Sequence, residues 1–242
     1  MWVIELPRSA TLLRINPEAV EDVLRVFKNI GQEIPYLEDL AIFIKVFEKH
    51  NHYYLGYILV DLKDRIMVKK RVDGEIETKP QSVLRCEEIK FAYFPKISGS
   101  TEISHVTVVL GRENIARLLA TVIEKVVGRT AFLRVRFSFT PSNEATIRNV
   151  FDDIVRIHGE DIVDAVISGI SIKGSRLYMA SPEYQKALTG EIKHIGVALR
   201  DEWFIVSSSG RVTTYKRLSD EEFIERIHQI LMRFLGAGAV VF

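Results

Sequence analysis

The chain of 242 residues is 47% hydrophobic and 27% charged, with 33 Lys and Arg, 32 Asp and Glu, and a formal net charge of +1. This balance is typical of a soluble globular protein that can bury a sizeable core. The single cysteine, Cys86, excludes an internal disulfide framework and a Cys-rich zinc site. No stretch has the apolar length of a transmembrane helix, and the start does not read as a signal peptide, so we expect a cytoplasmic protein without a membrane partner.

Four segments have the apolar periodicity of an amphipathic helix. Asn16 and Pro17 precede the first, as an expected N-cap and first helical residue, and the capping box of Ser219 and Glu222 opens the fourth. The apolar faces of the four helices are, in chain order, Val20, Val23, Leu24, Phe27 and Ile30; Ile115, Leu118, Leu119, Val122, Ile123 and Val126; Ile147, Val150, Phe151, Ile154 and Ile157; and Phe223, Ile227, Ile230, Leu231 and Phe234.

Short apolar or alternating runs predict the strands. One strand precedes the first helix and one precedes the third, and several follow each of these helices. The predicted strands of the first half are 2–6 or 11–15, 39–47, 53–61, 65–72, 87–94 and 103–110, and those of the second half are 131–139, 166–173, 176–180, 191–199, 203–208 and 211–217.

The two halves of the chain repeat one pattern. The apolar positions of the first helix recur at the same spacing in the third, and the agreement continues through Gly31 and Gly159 into the next strand. We therefore predict a duplication, with residues 1–128 and 129–242 as related β-α-β4/5-α halves of one body. Hairpin-connected strands in this order predict an α+β fold, a curved antiparallel sheet with helices on one face.

One stretch carries a resemblance to a known family. The sequence "FIVSSSGRVTTYKRLSDEEF", residues 204–223, resembles the last hairpin and closing helix of a repeat in the TATA-binding-protein family. The resemblance implies a saddle of two repeats with helices on the convex side, and binding to DNA. The phenylalanines and asparagines with which the family reads TATA are absent, and Arg134 and Arg136 lie in that region instead, so we expect no preference for TATA.

The serine- and glycine-rich segments do not predict catalysis. Ser207 to Gly210 is interpreted as a hairpin turn and not as a phosphate-binding loop, because Gly210 leads into an alternating strand and not into a helix. The same reasoning excludes a nucleotide-binding loop at residues 169–175. No serine or cysteine has a base at catalytic spacing, so we expect a protein that is not an enzyme and has no cofactor.

The histidines do not form a ligand set in the sequence. His50 and His52 have ligand-like spacing but lie in a polar turn without a third ligand, whereas zinc takes three or four. The other histidines are isolated along the chain: His105, His158, His194 and His228. No bound metal is therefore predicted.

Charge is segregated by element. Three predicted strands (65–72, 132–139 and 211–217) contain no acidic residue, whereas the helices hold much of the acid. Basic residues interleaved with tyrosine and small polar residues suit a phosphate backbone. The sequence therefore favours a nucleic-acid-binding protein, with DNA and RNA both open, that uses Arg65, Lys69, Arg71, Arg134, Arg136, Arg211, Tyr215 and Arg217.

Two alternative interpretations of these features stay open. The composition, with few asparagine, glutamine and cysteine residues and many charged ones, is typical of a thermophile. The Lys and Arg residues could then form surface ion pairs or protect edge strands from aggregation. The apolar C-terminal residues Val240, Val241 and Phe242 could instead add a strand to a protein partner or to a second copy of the chain. An interaction or assembly subunit is therefore the alternative function.

Overall fold

The computed structural model describes residues 7–72, 75–98, 102–137, 194–199, 202–236 and 240–241. The predicted third helix and the predicted strands at 166–173 and 176–180 lie outside the described residues. The described strands are β1 (Arg8–Ile15), β2 (Glu33–Leu37), β3 (Leu40–Lys49), β4 (Tyr54–Val72), β5 (Glu75–Ser98), β6 (Glu102–Leu110), β7 (Phe132–Arg134), β8 (Arg136–Phe137), β9 (His194–Leu199), β10 (Glu202–Ser207), β11 (Arg211–Thr214) and β12 (Val240–Val241). The described helices are α1 (Val20–Lys28), α2 (Glu113–Val127) and α3 (Asp220–Gly236).

Ten of the described strands form one antiparallel sheet. Its order is β2-β3-β4-β5-β6-β1-β11-β10-β9, and β7 also pairs with β1. Strands from both predicted halves meet at β1, where Arg8 lies opposite Thr214 and Thr11 opposite Arg211. Together with the three helices, this sheet makes the protein an α+β fold.

The helices cover both faces of the sheet, which corrects the prediction that they lie on one face. Alternate residues of β1, β5 and β6 point to opposite sides. The first core, which contains α1 and α2, includes Ile15, Phe91, Val109, Phe27 and Ile123. The second core, which contains α3, includes Leu12, Phe94, Val108, Phe223 and Leu231. The helices lie on both faces because these central strands are apolar on both sides, and one layer of helices can cover only one side.

The hairpin of β4 and β5 is longer than the sequence predicts. The sequence pattern predicts separate strands at 53–61 and 65–72, and it predicts no strand over residues 75–86. In the structure β4 runs without interruption from Tyr54 to Val72 and pairs with the whole of residues 75–93. Because residues 75–86 have little apolar alternation, the hydrophobic pattern does not mark them as a strand.

Local capping and turn predictions are confirmed. At the start of α3 the Ser219 amide donates to the Glu222 carboxylate (2.7 Å) and the Glu222 amide donates to the Ser219 hydroxyl (3.1 Å). Between β10 and β11 the Gly210 amide donates to the Ser207 carbonyl (3.0 Å). Ser207 to Gly210 is therefore the turn of a hairpin.

The C-terminal tail pairs within its own chain. Val240 lies opposite Phe137 and Val241 opposite Arg136, so β12 and β8 form a small separate sheet. Phe242 lies outside the described residues. Among the described helices, none is both long and apolar enough to span a membrane.

The turn at Gly210 provides a test of the packing around β1. Gly210 has φ +77°, and a Cβ there would lie 2.1 Å from the carbonyl oxygen of Val135. Gly128 has φ +76°, but a Cβ there would meet no heavy atom within 4 Å, so it is the matched control. We expect Gly128→Ala to lower the free energy of unfolding by about 1–2 kcal/mol from backbone conformation alone. Gly210→Ala should lower the free energy of unfolding, measured in urea, by more than Gly128→Ala does, because the backbone at Val135 must also move. Equal losses for the two variants would contradict the close contact between Gly210 and Val135.

Candidate functional site

The outer part of the β4–β5 hairpin leaves the sheet as a two-stranded ribbon. The pairing of β3 with β4 ends where Ile42 meets Val60, and the pairing of β6 with β5 begins at Phe91. Residues 61–72 and 75–86, called the arm below, therefore pair only with each other. At roughly 3.3 Å per residue the arm is about 35 Å long.

One face of the arm is basic. Arg65, Lys69 and Arg71 are exposed and are separated by even numbers of residues, so they share a face. Their neighbours across the ribbon on β5 are Ser82, Thr78 and Ile76, none of which is acidic. In the part of the chain that the structure describes, none of the three cations has an ion pair.

On the opposite face of the arm, Arg85 is held by two carboxylates. Asp64 and Glu87 both accept hydrogen bonds from the guanidinium of Arg85. The hydrogen bonds to Asp64 and then to Glu87 raise the pKa of Arg85 above its usual value. The charge of Arg85 is therefore compensated, in contrast to the charges of Arg65, Lys69 and Arg71.

Apolar side chains are also exposed on the arm. Met67 is 64% exposed and Leu84 is 65% exposed, and by strand alternation both lie on the basic face. Ile66, which is 45% exposed, lies on the other face. The arm thus has a surface of mixed basic and apolar side chains. A nucleic-acid base or an apolar partner could contact such a surface.

Arg134 is engaged by the fold. Its guanidinium donates to the carboxylate of Glu113, the first residue of α2, and Arg117 donates to the same carboxylate at 2.7 Å. The hydrogen bonds from Arg134 and then Arg117 lower the pKa of Glu113. Arg134 therefore holds β7 to the start of α2.

The other residues of the predicted interface lie on the body of the protein. Arg211 is half-buried opposite Thr11, and its Nε has no hydrogen-bond partner among the described atoms. Arg136, Tyr215 and Arg217 are exposed, with Tyr215 at 62%. By strand register, Arg134 and Arg211 lie on the side of α1 and α2.

The eight predicted residues therefore do not share one face. The arm brings together Arg65, Lys69 and Arg71, whereas the other five lie on the body. The sequence shows the alternation of β4 but not its partner strand. Only the register of β5 reveals that the basic face lacks acidic neighbours, and no local pattern in residues 75–86 indicates that pairing.

Two histidines that are far apart in the sequence meet in the structure. The rings of His52 and His228 stack with centroids 4.1 Å apart, and Glu225 Oε2 lies 3.4 Å from His52 Nε2. Burial, with His52 nearby, lowers the pKa of His228 to about 4. His228 is thus not isolated in the structure. Among the described residues, His52, Glu225 and His228 form a group that could hold a metal ion.

Comparison with known proteins gives no match: no family model, no curated protein and no solved structure is similar to this chain. The interpretation of function therefore depends on the geometry of the chain itself.

A pH-dependent prediction follows from Glu113. The pKa of Glu113 is lower in the folded protein than in the unfolded chain. The ionised Glu113 therefore stabilises the fold at pH values above its unfolded-state pKa, and this contribution is lost as the pH falls through its folded-state pKa. Replacing Arg134 with glutamine should lower the free energy of unfolding at pH 7 by roughly 0.5–1 kcal/mol. The deficit should shrink as urea unfolding is repeated towards pH 3. The exposed neighbour Arg136→Gln is the control, and a deficit that does not change with pH would contradict the assigned pair.

Proposed function

We propose that the protein is a non-catalytic nucleic-acid-binding protein whose principal contact is the basic face of the arm. The observation that carries the proposal is the position of three exposed cations on one face of a two-stranded ribbon, without acidic neighbours across the ribbon. The major groove of B-DNA admits a two-stranded β-ribbon. An arm of about 35 Å would reach along about one helical turn.

The electrostatic reason is release of counterions. Each Lys or Arg that neutralises a phosphate releases condensed cations from the nucleic acid, so affinity falls as salt rises. Contacts of this kind position the ligand without reading its sequence. We therefore expect the protein to have only a weak preference for particular nucleotide sequences. The binding test decides whether the ligand is DNA or RNA.

The duplicated architecture is part of the proposal. Residues 1–128 and 129–242 each open with a strand that joins the same sheet, β1 or β7, and each closes with a helix, α2 or α3. This order supports a duplicated strand and helix plan related to that of the TATA-binding-protein family, but with helices on both faces of the sheet and not on one. The helices on both faces leave no open central face for DNA, so we assign the main contact to the arm and a secondary one to Arg136, Arg211, Tyr215 and Arg217.

The arm cations can be tested by salt titration. Lys69→Gln with Arg71→Gln should reduce the slope of log affinity against log salt by roughly 2 for duplex DNA, since each phosphate contact contributes about 0.9. Fluorescence anisotropy with duplex DNA, single-stranded DNA and RNA measures the slope. The control is Arg25→Gln with Lys28→Gln, which removes the same charge from the exposed side of α1. Salt-independent affinity, or equal losses in both variants, would exclude the arm as the contact.

Tyr215 provides a separate test on single strands. A base can stack on its exposed ring, so Tyr215→Ala should weaken binding to single-stranded DNA or RNA by roughly 1–3 kcal/mol. Tyr215→Phe keeps the ring and should bind nearly as tightly as the parent protein. If both variants lose the same affinity, the hydroxyl and not stacking is responsible; if neither does, Tyr215 lies outside the interface.

A protein partner is the alternative function, and the exposed Met67 and Leu84 favour it. A partner held by these side chains would be released by Met67→Ser with Leu84→Ser and would be insensitive to moderate salt. A second copy of the chain, held by the arm or by the tail, would appear as a concentration-dependent mass in light scattering. Nucleic-acid binding that falls with salt while the chain stays monomeric favours the proposed function instead.

A further inference from the structure

The turn between β3 and β4 lies against α3 and brings three ligand-type side chains together. His52 belongs to this turn, whereas Glu225 and His228 lie one turn apart on α3 and so face the same side. The ligand atoms of all three lie within 4.8 Å of one another. The cluster thus joins a hairpin turn of the first predicted half to the last helix of the second.

One nitrogen of this cluster makes no hydrogen bond to the described atoms. Nε2 of His52 is shielded from solvent and has no hydrogen-bond partner among the described atoms. The nearest carboxylate oxygen, on Glu225, is 3.4 Å away. A polar atom that is buried without a hydrogen-bond partner destabilises the folded state, so a ligand that engages this nitrogen would remove that cost.

The distances suit a small divalent ion. Zinc binds imidazole nitrogen and carboxylate oxygen at about 2.0–2.2 Å, which places tetrahedral ligand atoms about 3.4 Å apart. The ligand atoms lie within 4.8 Å of one another, so side-chain rotations would have to bring them closer to reach this spacing. The rings are held close by their mutual stacking and by the contact of His228 with Phe94, whose ring centroids are 5.3 Å apart.

We propose that His52, Glu225 and His228 bind a divalent transition-metal ion of the zinc class. Two imidazoles and one carboxylate favour zinc over magnesium or calcium, which take oxygen ligands. Three protein ligands leave one coordination position for water. A cavity of about 580 Å³, lined by Glu225 and by His50, Tyr53 and Glu221, lies beside the cluster and would supply that water.

The bound ion would fasten α3 to the β3–β4 turn. The ion binds the folded chain and would bridge residues that are far apart in sequence, so it should stabilise the folded state in proportion to the logarithm of its concentration over Kd. This inference is independent of the arm, because the cluster and the arm share no residue.

The experiment uses the 242-residue chain, freed of metal with a chelator and then titrated with Zn²⁺ or Co²⁺. We expect one equivalent of Zn²⁺ by equilibrium dialysis, a visible Co²⁺ absorption band, and a melting temperature that rises with Zn²⁺. Glu225→Gln and His228→Gln should each weaken Zn²⁺ binding by at least about tenfold. His50→Gln is the matched control, since His50 lies in the same turn but outside the cluster, and it should bind as the parent does.

The outcomes separate a metal site from an aromatic cluster. If the histidines serve packing alone, the parent chain binds no stoichiometric Zn²⁺ and shows no Co²⁺ band, and the proposal is overturned. It is also overturned if the two ligand variants bind as tightly as the His50→Gln control. Circular dichroism of each metal-free variant checks folding, and His52→Gln replaces any variant that does not fold.

Discussion

The pairing of β1 on both edges is the constraint on which the rest of the structure depends. One edge pairs with β6, and the other is shared by β11 at its start and β7 at its end. This strand therefore joins the two predicted halves into one sheet. The residues of β1 point alternately into two cores, so both faces of the sheet must be covered. Helices α1 and α2 cover one face and α3 covers the other.

The division of charge follows from the same arrangement. Cations on the body are matched by acids near α3: Arg8 and Lys90 pair with Asp220, and the buried Glu202 accepts a hydrogen bond from Arg226 at 2.7 Å. The basic face of the arm has no such acids opposite it. A formal net charge of +1 therefore coexists with a localised positive surface, because the compensating acids lie elsewhere.

The arm and the histidine cluster are two consequences of one long hairpin. At its inner end, β4 begins just after the turn that presents His52 to α3. At its outer end, the same strand extends beyond β3 and stays paired with β5. An isolated two-stranded ribbon is marginally stable in water, so the arm depends on the sheet that anchors its base. Substitutions in its outer part therefore change charge with little effect on the core.

The sequence by itself determined the elements whose signals are local. The amphipathic faces of α1, α2 and α3, the capping box at Ser219, and the turn at Gly210 each depend on residues a few positions apart, and their pattern is set by backbone geometry. Together they were sufficient for the α+β class. The alternating basic residues of β4 were also visible.

Only the tertiary structure decided which residues meet. The register of β4 with β5 placed non-acidic partners opposite Arg65, Lys69 and Arg71, and the packing of α3 brought His228 to His52. It also placed Arg134 against Glu113. Such contacts join residues distant along the chain, and their energies depend on strand pairing and on the burial of two cores, which leave no periodic mark in any local stretch of sequence.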